Sequence, residues 1–180
     1  MKKLSCYLLI LIAYSCIPYK IAPNIEGKKI IKAKKFKKDL LNFYGFIFED
    51  PKNANEFYNF INAKYNLKHL NVESNVPINI NNETYYLSFF ERERTTETIN
   101  LIPFIIDADR NSKGKESLLE DFYATRTGFW YLVLTVTDTK IKDCLNPNHP
   151  QHGKIVNHLK KLKDEYFSTS NYMEAYLKMK

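Results

Sequence analysis

Residues 128–137 read Gly-Phe-Trp-Tyr-Leu-Val-Leu-Thr-Val-Thr, a run of aromatic, β-branched and aliphatic side chains with no charge. Such a run predicts a strand buried on both faces, and therefore a central one. A central strand needs a neighbour on each edge and a layer over each face. Further strands are predicted at 42–49, an aromatic run, and at 76–80 and 84–94, which flank a turn at Asn81 and Asn82, with a meander the simplest connection. Along 84–94, Tyr85, Leu87 and Phe89 share a face by alternation, and Glu91 and Glu93 continue it toward the strand end. A further strand is predicted over 98–108, followed by a polar loop at 111–115 and a short helix over 116–123.

Two amphipathic helices supply the covering layer. Asp50-Pro51 reads as a capping residue followed by proline at the first helical position, and Phe57, Phe60 and Ile61 recur at helical spacing, predicting a helix over 51–65. The prolines and glycine of 146–153 mark a loop. Beyond it Ile155, Leu159, Leu162 and Tyr166 line one face of a helix over 155–167. Ile30, Ile31 and Phe36 fit a strand or a helix equally well. The chain has 180 residues, 44% of them apolar and 26% charged, which is enough for one domain with a sizeable core and excludes wholesale disorder. The fold class expected is α+β, an antiparallel sheet of about five strands with two main helices packed against it, as a single domain over 39–180.

The N-terminus has a different character. Lys2 and Lys3 precede an apolar stretch at 4–13, shorter than the roughly 20 residues a membrane-spanning helix takes. Ala13, Tyr14 and Ser15 then lead into Cys16. This resembles the signal peptide and lipobox of bacterial lipoproteins, above all the Ser-Cys form found in Bacteroidetes; Tyr14 departs from the strict apolar-small-small-Cys pattern. The resemblance implies cleavage after Ser15, a diacylglyceryl group on the Cys16 sulfur and acylation of the new amino terminus, so that lipid chains tie the mature protein to a membrane. Ile17 follows the cysteine and no acidic residue occurs before Glu26. With the sorting signals of the lipoproteins it resembles, this absence implies an outer membrane and its periplasmic face rather than the cell surface. An ordinary secretory signal, or an uncleaved first helix, is the alternative for the same residues.

A formal charge of +7 would suggest a nucleic-acid partner if it were spread over the fold. It is not. Residues 20–38 hold Lys20, Lys28, Lys29, Lys32, Lys34, Lys35, Lys37 and Lys38 against Glu26 alone, while 39–180 carry 17 basic and 19 acidic side chains. A basic segment beside a lipidated cysteine suits anionic headgroups; the same lysines also suit an exposed edge strand, which they protect from aggregation. Residues 16–38 are accordingly expected as a membrane-proximal tether, with 17–22 its first part, or as an edge strand. Nucleic acid is excluded as a partner.

Of the three cysteines, Cys6 would leave with the signal peptide and Cys16 would become a thioether, which leaves Cys144 as a lone thiol and permits no internal disulfide. Cys144, His149, His152 and His158 lie within fifteen residues and are metal-capable, but their spacing matches no zinc motif; surface histidines beside a helix start are the plainer reading. The acidic pairs Asp107 with Asp109 and Glu120 with Asp121 are the remaining candidates for hydrolysis, and solvent-facing strand ends explain them as well. The aromatic stripe Tyr44, Phe46 and Phe48 reads as core. No P-loop, GxGxxG or GxSxG motif occurs, and no cofactor is expected. The function expected is a lipid-anchored envelope module that binds an unknown envelope protein or ligand without catalysis. The alternatives are an envelope hydrolase and an immunity-type lipoprotein that blocks a periplasmic effector.

Overall fold

The computed structural model of the protein describes residues 16–52, 55–118 and 124–169. Along the chain the elements run β1 (Cys16–Lys20), β2 (Lys29–Lys32), α1 (Ala33–Phe36), β3 (Tyr44–Glu49), α2 (Glu56–Tyr65), β4 (Val76–Ile80), β5 (Glu83–Asn100), α3 (Leu101–Ser112), β6 (Ala124–Thr137) and α4 (His152–Ser168). They form two compact units, a larger one from Ile25–Arg92 and Trp130–Lys180 and a smaller one from Met1–Asn24 and Glu93–Phe129. The class is α+β with an antiparallel sheet.

In the larger unit the strand order is β4-β5-β6-β3-β2. The register sets Phe46 beside Leu134 and Phe48 beside Leu132, with Ile47 and Val133 paired between them. Alternation then sends Phe46, Phe48, Leu132, Leu134 and Val136 to one face, where α2 contributes Phe57, Phe60 and Ile61, and α4 contributes Ile155, Leu159, Leu162 and Tyr166. The opposite face carries Ile47, Tyr131 and Val133, each buried. Its cover is the segment around α1: Phe36 meets the Tyr131 ring edge-on at 5.3 Å, and Ala33 and Leu40 are buried with it. Gly45 permits this approach, since a β-carbon there would stand 2.7 Å from Val133 Cγ1 and 3.4 Å from Ala33 Cβ.

The central strand is where the apolar run predicted it, and the Asn81-Asn82 turn joins Ile80 to Glu83 with both asparagines at positive φ, the geometry a two-residue hairpin turn requires. Other expectations need correction. The tether expected over 17–22 enters the sheet as β1 through Lys20, while the edge strand offered as the alternative for the lysine segment is met in part, Lys29–Lys32 forming β2 at one edge of the larger unit's sheet. The helix expected from Pro51 starts at Glu56, after Asn55 in the left-handed region. The strand expected over 98–108 is divided: β5 runs unbroken to Asn100 and α3 follows at once. Pro103 explains the change. In a strand interior it would delete a ladder donor, whereas in the first helical turn its missing N–H has no intrahelical acceptor to lose. Of the helix expected over 116–123, Glu116, Ser117 and Leu118 are not helical and 119–123 lie outside the described residues.

The end of β3 is locked to the end of α4. Tyr166 Oη donates to Asp50 Oδ1 at 3.1 Å and to Oδ2 at 2.9 Å, and Lys52 Nζ donates to the carbonyls of Tyr166 and Thr169 at 2.6 and 2.7 Å. The ammonium thereby satisfies carbonyls at the helix C-terminus and sits over the Tyr166 ring at 4.4 Å. Burial pushes the Asp50 carboxyl up; the Lys52 N–H, the Tyr166 hydroxyl and the Lys52 charge oppose this, and the nearby Glu56 carboxylate works in the same direction as burial. A carboxyl raised in the folded state contributes most stability while protonated and loses that contribution as pH rises through its folded value. Asp50→Asn should therefore gain in stability relative to the native chain between about pH 3.5 and pH 7, starting near the unfolded carboxyl value of about 3.9. Urea melts at the two pH values read the difference directly, and a constant offset would contradict it.

Candidate functional site

After β6 the chain winds around one carboxylate. Asp138 Oδ1 accepts the N–H of Lys140 at 2.8 Å and of Lys142 at 2.9 Å, the side-chain version of a backbone turn that aspartate makes readily. Ile141 takes a φ of 60° at the tip. The base is clamped by Asp143, whose carboxylate accepts the N–H of Tyr44 at 2.7 Å and of Leu145 at 3.0 Å. Two concavities share Asp138 and Thr139. One, of about 420 Å³, is polar and lies against Glu83, Tyr85, His149 and Gln151. The other, of about 510 Å³, has Tyr86, Ser88, Thr135 and Thr137 from the strands as its floor and the exposed side chains of Leu41 and Ile141 at its rim.

Behind the polar concavity Cys144, His149 and Asp138 come together. His149 Nε2 is 3.8 Å from Cys144 Sγ and 3.8 Å from Asp138 Oδ2, so the spacing superficially suits a thiol nucleophile with its base. The hydrogen bonds assign other roles. The Gln151 N–H donates to His149 Nδ1 at 3.2 Å, which makes Nδ1 the acceptor and leaves the ring proton on Nε2, facing the thiol and the carboxylate. The base position is thus occupied by a proton. Cys144 is fully buried, its Sγ lies 3.5 Å from the Lys142 carbonyl, and burial, with the Asp138 and Asp143 charges, pushes the thiol up to about 12. Burial raises the Asp138 carboxyl too, but the Lys142 and Lys140 N–H groups, His149 and the Lys142 charge outweigh it and hold this carboxyl below the usual range. Tyr85 donates to Glu83, and burial together with that carboxylate raises its phenol to about 12.

Of the four metal-capable residues, the fold brings together Cys144 and His149. His152 Nδ1 and His158 Nε2 are each buried without a hydrogen-bond partner, and burial, then the Lys64 charge, push the His158 imidazole down. Among the described residues no three His, Cys, Asp or Glu side chains are placed to hold a metal ion. Asp107 and Asp109 stand on α3 rather than on a strand: Asp107 is buried and accepts the Leu118 N–H at 3.0 Å, and Asp109 pairs with Lys113 at 2.6 Å. Glu120 and Asp121 lie outside the described residues.

The basic segment is a surface of the larger unit. Lys29, Lys34, Lys35 and Lys38 are exposed, Lys37 is half-buried, Lys28 lies over the Phe46 ring at 5.6 Å and Lys32 over Tyr44 at 6.0 Å. Burial and the charges of Lys160 and Lys163 on α4 lower the Lys28 ammonium, so helix lysines extend a patch that sequence reasoning confined to 28–38. Asp138 was also missed, although an Asp-Thr-Lys sequence directly after the apolar run of 128–137 is itself a turn signal.

In comparisons with protein-family models, curated proteins and solved structures, nothing matches the chain.

The thiol geometry is open to a direct check. Iodoacetamide at pH 8 should leave Cys144 essentially unmodified in the folded protein and alkylate it completely once guanidinium unfolds the chain, because only the thiolate reacts. Modification of the native protein at the rate of a free thiol would show that the site is open and ionised.

Proposed function

We propose that this chain is a lipid-anchored cell-envelope protein, held through acylated Cys16, that works as a non-catalytic binding module on the periplasmic face of an outer membrane. The observation that carries the non-catalytic part is the arrangement of Cys144, His149 and Asp138: the thiol is buried and held protonated, and the imidazole nitrogen beside it bears a proton instead of accepting one. Of the carboxylates that a hydrolase reading would use, the two among the described residues support the same reading, since Asp107 is committed to a backbone N–H and Asp109 to Lys113. Among the described residues, the pair of concavities around Asp138 offers a preformed groove of the size in which ligands are held. The lysine surface around β2 and α1 would favour anionic headgroups by about 1 kcal/mol per lysine close to the membrane.

Anchoring rests on Cys16. Among the described residues no helix is long and apolar enough to cross a membrane. Cys16→Ala should move the protein from the membrane to the soluble fraction and abolish the acyl mass on the mature N-terminal peptide; a variant that stays membrane-bound, or a native chain without acyl mass, would refute the anchor.

Binding is tested at the groove floor. A photoreactive phenylalanine analogue at Tyr86, illuminated in intact cells, should give one discrete adduct that disappears when Thr137→Arg fills the groove. An adduct insensitive to Thr137→Arg, or none at all, would count against the groove.

A further inference from the structure

Helix α3 buries an acid and exposes two isoleucines beside it. Asp107 is fully buried, with its carboxylate on the Leu118 N–H and 3.9 Å from the Arg110 guanidinium, while Ile105 and Ile106 stand 53% and 45% exposed. A helix that serves only its own core does the reverse. The rest of the smaller unit repeats the pattern, with Ile21 66%, Ile99 39% and Leu118 67% exposed. Next to the two isoleucines, Asp109 is neutralised by Lys113 at 2.6 Å, which lowers the cost of bringing that side of the helix to an apolar boundary.

The sheet register says what lies beside this helix. β1 pairs antiparallel with β5 so that Cys16 is opposite Asn100 and Ile17 opposite Ile99. Asn100 immediately precedes α3. The backbone of Cys16 is therefore about 5 Å from the residue before the helix, and Ile105 follows within roughly 8 Å of rise along its axis. There is no tether between them: acyl chains on Cys16 would bring the start of α3 to the headgroup level.

We infer that α3 is a membrane-contacting helix whose Ile105 and Ile106 enter the headgroup–acyl boundary of the leaflet holding the Cys16 lipid. This rests on the lipidation reading and adds to it: the lipid sets the orientation of the smaller unit as well as its location. Interfacial helices sink about 5–10 Å into that boundary, which two isoleucines on one side of a helix can reach. Ile105 and Ile106 are 100° apart around the axis, and Asn111, exposed, lies on the opposite side.

The test uses the full acylated protein in vesicles of phosphatidylethanolamine and phosphatidylglycerol, with a nitrobenzoxadiazole dye on Ile105→Cys or Asn111→Cys; Cys144 stays buried and unlabelled. Emission from position 105 should shift to the blue and be quenched several-fold more strongly by nitroxide-bearing lipid than emission from position 111. Equal, water-like emission from both positions with the acyl mass intact would overturn the inference and leave the anchor standing. Absence of the acyl mass would overturn both. A blue shift at position 105 that persists in soluble Cys16→Ala protein and grows with protein concentration would assign the face to a second copy of the chain and likewise overturn the membrane contact.

Discussion

Burial of β6 on both faces is the constraint from which the larger unit follows. Tyr131, Leu132, Val133 and Leu134 are at most 1% exposed, and removing one such side chain from water is worth about 1.5–3 kcal/mol. A strand of this kind cannot sit at an edge, nor in a sheet with one bare side. The helices α2 and α4 cover the face of Leu132 and Leu134; the other face is closed by Ala33, Phe36 and Leu40. That second cover gives the lysine-rich segment its structure. Its apolar residues are drawn down onto Tyr131 and Val133, and the lysines between them are left outside.

The cover over the second face is short, and the groove begins where it ends. From Thr135 onward β6 turns hydroxyl-bearing side chains to that face, Thr135 Oγ1 reaching the Ser88 carbonyl at 3.4 Å, and β5 presents Tyr86 and Ser88 beside them. Apolar residues would have needed the lid to continue. The floor of the candidate site is thus the polar continuation of the same two strands that make the core, which keeps its shape as rigid as theirs.

Much of this architecture was legible because strong periodicity is set by burial. The run at 128–137, the turn at Asn81 and Asn82, and the face of Ile155, Leu159, Leu162 and Tyr166 each have one good solution. The boundary at Asn100 did not. Leu101 to Ala108 is apolar enough for a strand or a helix, and Pro103 is decisive only once a first helical turn is considered. The pairing of Cys16 with Asn100 was out of reach altogether, because a strand partner more than eighty residues away leaves no local pattern. The candidate site was half visible. Cys144 and His149 were nominated for their chemistry, but their proton arrangement depends on Gln151 and Asp138, which only the folded loop brings to them.

Four aspartates share one use, and it bears on what the groove can do. Asp50 accepts from the Lys52 N–H, Asp107 from Leu118, Asp138 from Lys140 and Lys142, and Asp143 from Tyr44 and Leu145. Each carboxylate stands in for a backbone acceptor where the chain leaves regular structure, and bonds of this kind to a charged acceptor are worth more than neutral ones. Two of the four, Asp138 and Asp143, fix the loop between the two concavities. A loop held this way loses little freedom when something binds against it, so its complementarity is retained as affinity instead of being consumed in ordering the chain. The same commitment takes those carboxylates out of proton transfer. A rigid wall and an unreactive one thus have one cause in this fold, the capture of backbone N–H groups by aspartate.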